Sequence, residues 1–122
     1  MEPSPGYEFL VSCPTKVRAT MLAVLNAVAI APPKRYAGGG YWEAMHGGMT
    51  GWFEVRVDGG NPRMHYRLFC LIDPAAQGVH NPILAVIAGL SKPRGTTLSE
   101  RDYSKVRALG DEYRARNPRS VR

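Results

Sequence analysis

The chain has 122 residues, with 16 lysines and arginines against 10 acidic residues and a formal charge of +6. Hydrophobic residues make up 44% and charged residues 21%, the balance of a chain that folds around one core; bulk disorder and a pair of ordinary domains are both excluded. The basic excess points toward an anionic partner, nucleic acid first, although a charge of this size also suits ordinary solubility.

Residues 1–6 read as a loose lead-in, and Tyr7 to Ser12 alternates as a first strand. The period then changes. Pro14 suits the first turn of a helix, where its missing N–H leaves nothing unpaired, with Ser12 or Cys13 at the cap. Val17, Met21, Val24, Leu25 and Val28 follow at helical spacing until Pro32-Pro33. This stretch imitates a signal peptide, since Lys16 and Arg18 precede an apolar run that closes on Ala29-Ile30-Ala31. The segment Tyr7 to Val11 in front of it carries no basic residue, and the run falls short of the roughly 20 residues that span a membrane. The expectation is a soluble cytoplasmic protein without a membrane anchor.

Gly38-Gly39-Gly40 reads as a flexible joint, and Tyr41 to His46 as a short second helix. No Gly-Lys-Ser/Thr follows the triplet, so it is not a phosphate loop. From Gly51 the period is two, with Trp52, Glu54 and Arg56 on one face and Phe53, Val55 and Val57 on the other. Asp58 to Pro62 has hairpin-turn composition, and Met64 to Ile72 alternates as the next strand. After a loop from Asp73 to Pro82, the continuous apolar run Ile83 to Leu90 suits a central strand covered on both faces. Ser99 with Asp102 makes a weak capping box for a last helix bearing Tyr103, Val106, Leu109 and Tyr113, which Asn117-Pro118 ends. The order predicts one α+β domain spanning 1–122, with 1–6 and 118–122 loose, antiparallel pairing and helices on one face.

Cys13 and Cys70 form no C-x-x-C pattern, which excludes a disulfide framework and a cysteine zinc site and leaves two buried thiols in a reducing compartment. The three histidines, His46, His65 and His80, show no i, i+4 pair, so no metal site is expected. No G-x-S-x-G and no dinucleotide fingerprint occur, and no cofactor is expected. What remains is a set of basic and aromatic residues on strands. Arg56 and Arg67 flank one short turn and can meet on one sheet face with His65 and Trp52, while Lys92 and Arg94 follow the third strand. Such a cluster neutralises phosphates while aromatic rings stack unpaired bases. A plainer arrangement has Glu54 pairing with Arg56 and Arg67 across the sheet, the rest being solvated surface.

Taken together, Trp52-Phe53-Glu54-Val55-Arg56, Tyr66-Arg67-Leu68-Phe69 and Ala88-Gly89-Leu90-Ser91-Lys92 before a final helix resemble the RelE/ParE toxin superfamily, most closely its phage-derived HigB-like branch. The resemblance runs from Tyr7 to Tyr113. It implies a RelE-like antiparallel sheet with an N-terminal helical hairpin and a C-terminal helix packed on it. It further implies the toxin of a type II toxin-antitoxin system, a metal-independent endoribonuclease that cuts mRNA on the ribosome and is held by a helix-turn-helix antitoxin. On the matching positions, Arg67 would hold the scissile phosphate, Lys92 would be the basic residue after the last strand, and Arg94 a second phosphate contact. His65 shares parity with Arg67 and is the better acid/base candidate than Tyr66. Arg56, Trp52 and Tyr103 would help bind RNA, although the helical spacing of Tyr103 also suits the core. The chain carries Ser91-Lys92-Pro93-Arg94 where many members have paired lysines, and a long helix replaces their short catalytic segment. The ParE branch instead inhibits DNA gyrase by binding it, and a remnant that only binds antitoxin is a further alternative.

Overall fold

A computed structural model describes residues 5–30, 41–60, 63–73 and 83–115. Helices α1 (Pro5–Ser12) and α2 (Thr15–Ile30) precede four strands, β1 (Trp42–Ala44), β2 (Trp52–Gly59), β3 (Met64–Asp73) and β4 (Ile83–Pro93), and α3 (Glu100–Ala115) follows. The strands form one sheet in the order β1-β2-β3-β4, each pair antiparallel. The architecture is α+β, as the alternation of periods predicts.

Five expectations are corrected. Tyr7 to Ser12 belongs to a helix, not a strand: Gly6 and Leu10, one turn apart, are its buried positions, while Tyr7 and Val11 face outward. Gly6 is needed here, because a Cβ would lie 2.6 Å from a Val86 methyl and 2.7 Å from the Val86 carbonyl oxygen. At the α1–α2 junction Ser12 Oγ donates to the Phe9 carbonyl and so closes α1, while the Pro14 carbonyl accepts the first bond of α2 from Arg18 N. Proline therefore sits one position earlier than the sequence suggests. Tyr41 to His46 contains a strand rather than a helix, since Trp42, Glu43 and Ala44 pair with Val55, Glu54 and Phe53. A single 3-10 turn, Gly47–Met49, follows it.

The fourth and fifth corrections concern layers. The apolar run of β4 does lie beneath helices on both faces, but β4 is at the edge of the sheet. The helices also divide between the two faces. Leu10, Val17, Met21, Val24 and Val28 of α1 and α2 pack on Val55, Val57, Leu68 and Cys70. Val106 of α3 packs with Trp52, Phe69, Leu71, Ala85 and Ile87 on the opposite face. The alternation within β2 and β3 dictates this, since both parities carry large apolar residues and each face must be covered. The Ser99–Asp102 capping box forms as expected: Asp102 N donates to Ser99 Oγ at 3.2 Å and Ser99 N to Asp102 Oδ2 at 2.9 Å. The stops assigned to Pro32-Pro33 and Asn117-Pro118, the glycine triplet, most of the loop from Asp73 to Pro82, and the lead-in residues 1–4 lie outside the described residues. Among the described residues, no helix is long and apolar enough to cross a membrane.

Candidate active site

The register of the sheet sets the site. Across β2, β3 and β4 the opposite residues are Asp58, His65 and Lys92 in one row, Arg56, Arg67 and Leu90 in the next, and Glu54, Phe69 and Ala88 in the third. Directly paired residues in an antiparallel sheet share a face. Phe69 and Ala88 belong to the α3 core, so all these side chains stand on the α3 face, with Arg56, Arg67, Asp58, His65 and Lys92 extending past the buried core.

Opposed arginines repel each other, and the sheet offsets this with carboxylates. Glu54, the buried charged residue of the described chain, accepts from Arg67 Nη1 at 3.2 Å on both oxygens. Arg56 Nε lies 3.8 Å from Glu54 Oε1, and Arg56 Nη1 donates to Glu43 Oε1 at 3.2 Å. The result is a ladder, Glu43–Arg56–Glu54–Arg67, running across three strands. Arg67 is neither solvated nor sealed: its side chain keeps 22% of its exposure, against 6% for Glu54.

In the row above, His65 Nδ1 lies 2.6 Å from Asp58 Oδ1, and Gly95 N donates to His65 Nε2 at 3.4 Å. A carboxylate can only accept and an amide N–H can only donate, so these partners place the imidazole proton on Nδ1 and the lone pair on Nε2. The hydrogen bond to His65 holds the Asp58 carboxyl below its usual range, with help from the charges of Arg94 and Arg56. Lys92 Nζ is 3.7 Å from Asp102 Oδ2, which ties the end of β4 to the first turn of α3. Hydrogen bonds from Ser99, and after them the Lys92 ammonium, hold Asp102 low as well.

Arg56, Arg67, His65 and Lys92 are thus gathered on one face, and Arg94 follows on the exposed turn whose backbone bonds Arg63. Tyr66 is turned to the other face, where its ring meets Phe9 at 6.5 Å, which leaves His65 as the strand residue beside Arg67. Two aromatic assignments read differently in three dimensions. Trp52 is 5% exposed and lies over Gly110, so its ring is core and has no face to offer a base. Tyr103 packs edge-on against Phe69 with centroids 6.3 Å apart, yet it also lines a pocket beside the ladder.

Sequence reasoning passed over Asp58, Glu43 and Asp102 as site residues. Asp58 was within reach: counting back across the short turn from the Arg56–Arg67 pair puts it opposite His65. Glu43 sits on a strand that only pairing reveals, and Asp102 meets Lys92 only once α3 has docked. Comparisons with protein-family models, with curated proteins and with solved structures give no match for this chain. The chemistry of the face therefore carries the functional argument. Among the described residues no group of three or more histidine, cysteine or acidic side chains is arranged to hold a metal.

Proposed function

We propose that the protein is an RNA-cleaving toxin of the RelE/ParE type, close to the HigB-like branch, that cuts messenger RNA on the ribosome in the cytoplasm and is held by a helix-turn-helix antitoxin. One observation supports this most: an Asp-oriented imidazole, His65, shares a row with Lys92 and stands next to the Arg56–Arg67 row. Attack by a ribose 2′-hydroxyl on the adjacent phosphate needs a proton acceptor, a proton for the departing 5′-oxygen, and positive charge on the phosphorane. His65 Nε2 is the acceptor, released from its long bond to Gly95. Lys92 carries a proton to the leaving oxygen, and Arg67 with Arg56 neutralises the phosphorane. The products are a 2′,3′-cyclic phosphate and a 5′-hydroxyl end.

The test is induced expression with primer extension on cellular messages. Wild-type protein gives rapid loss of translation and discrete 5′ ends. Arg67→Lys keeps a charge beside Glu54 but loses the planar fork, and it abolishes both effects while the fold survives. Full toxicity in Arg67→Lys and Arg67→Ala alike overturns the proposal.

A second reading rests on the same ladder. Arg56 and Arg67 both contact carboxylates, and a charge-balanced face suits a protein partner as well as a phosphate chain. That favours a ParE-type toxin that binds gyrase without hydrolysis, or a non-toxic antitoxin-binding remnant. DNA-damage signalling without message cleavage marks the former, and absence of any growth effect the latter.

A further inference from the structure

Behind the arginine ladder lies a pocket of about 350 Å³, between the β1–β2 connection and α3. Its size is at the lower end of the roughly 300–1,000 Å³ range of small-molecule sites. Glu43 and Glu54 form its wall on the ladder side, Tyr103 and Arg107 its α3 side, and Met49 its apolar part. Two of its carboxylates are thus the same groups that hold Arg56 and Arg67. Those carboxylates stand between the pocket and the guanidinium groups they bind.

The pocket's chemistry is specific. Glu54 spends one lone pair of each oxygen on Arg67, and an ionised carboxylate has about four acceptor sites. Acceptor capacity beyond Arg67 remains on this side chain, which is 6% exposed, lines the pocket and has Arg56 Nε 3.8 Å from Oε1. Arg107 donates from Nη1 to Met49 Sδ at 3.5 Å and from Nη2 to Glu100, and its further N–H groups supply donors in the guanidinium plane. Tyr103 supplies a ring. Among nucleobases guanine alone combines two adjacent N–H donors, N1 and N2, with two adjacent acceptors, O6 and N7. A carboxylate matches the first pair and an arginine fork the second. Adenine lacks the paired donors, and the pyrimidines lack the second acceptor edge.

We propose that this pocket is a guanine subsite, placed so that the phosphate joined to the bound nucleotide meets Arg56 and Arg67. The inference rests on the RNA-cleavage reading for its biological use, but the binding it asserts can be measured without any cleavage. Titration of the full chain with 5′-GMP, 5′-AMP, 5′-CMP and 5′-UMP, followed by NMR amide shifts, tests it directly. GMP binds about tenfold or more tightly than the other three, and the shifts fall on residues 43–49 and 100–107. Arg107→Lys, which keeps the charge and the helix, loses that preference while the phosphate-driven binding common to all four nucleotides persists. Equal affinities, absence of binding, or shifts confined to other elements overturn the subsite. Arg67-dependent message cleavage with no nucleotide preference would remove the subsite and leave the proposed function standing. Selective GMP binding without cleavage would do the reverse.

Discussion

Arg67 Nη1 lies at the same 3.2 Å from both oxygens of Glu54, so one nitrogen on β3 bridges a carboxylate on β2. Geometry of this kind makes each partner dependent on the other. Glu54→Ala leaves Arg67 and Arg56 facing each other without an intervening negative charge, and removes hydrogen bonds worth about 1.5–3 kcal/mol to a charged group. We expect a loss of about 2 kcal/mol in urea unfolding, discounted from the cost of a fully buried pair because Arg67 is partly exposed. An unchanged urea midpoint would show that the ladder contributes nothing to folding.

At the α3 interface the usual helix rule reverses. Replacing a helical glycine by alanine ordinarily gains about 1 kcal/mol. At Gly110 a Cβ would stand 2.5 and 2.6 Å from two ring carbons of Trp52, so helix or indole must move. Gly110→Ala therefore lowers the melting temperature, with a cost of about 1–3 kcal/mol from overpacking. A raised melting temperature would mean that Trp52 is not packed there.

The two depressed carboxylates predict acid sensitivity of a defined sign. Asp58 and Asp102 are both held below the ordinary range. A depressed carboxylate contributes its stabilisation in full above its unfolded value, near about 4, and loses it as pH falls through the lower native value. Asp58→Asn should flatten the stability profile on the acid side of about pH 4 and change its shape little near neutrality. Parallel acid unfolding curves for wild type and variant would contradict the His65–Asp58 bond.

How far the sequence foretold this arrangement depends on how local each signal is. The Ser99–Asp102 cap and the alternation of β2 and β3 are written within a few residues, and both stand as read. The Arg56–Arg67 pairing follows from one short turn, and with it the plainer pairing to Glu54. Tyr7 to Ser12 reads as a strand because Tyr7, Phe9 and Val11 alternate equally well in one; packing on the sheet, with Gly6 against Val86 and Leu10 in the core, selects the helix. Tyr41 to His46 reads as a short helix because the three residues of its strand, Trp42 to Ala44, carry no period, and their state is set by β2. Trp52 presents the same composition whether it stacks on a base or on Gly110, and only the docked helix distinguishes the two.

Cys13 and Cys70 are free and buried, and burial raises both thiols above their ordinary range, Cys70 most. Only thiolate reacts quickly with disulfide reagents. Native protein should label slowly at both positions with Cys70 the last, and both should label at once in denaturant. Rapid labelling of Cys70 in the folded state would mean that the β3 core opens readily.

The strands pair in the order in which the chain supplies them. Each β-pairing thus joins neighbours along the chain, and closing the short β2–β3 turn costs little entropy. α3 is different, because it follows the completed meander and brings Val106 and Gly110 onto Trp52 and Phe69. During synthesis the sheet can therefore take shape with one side bare, and nascent chains would show an exposed indole until the helix arrives to shield it.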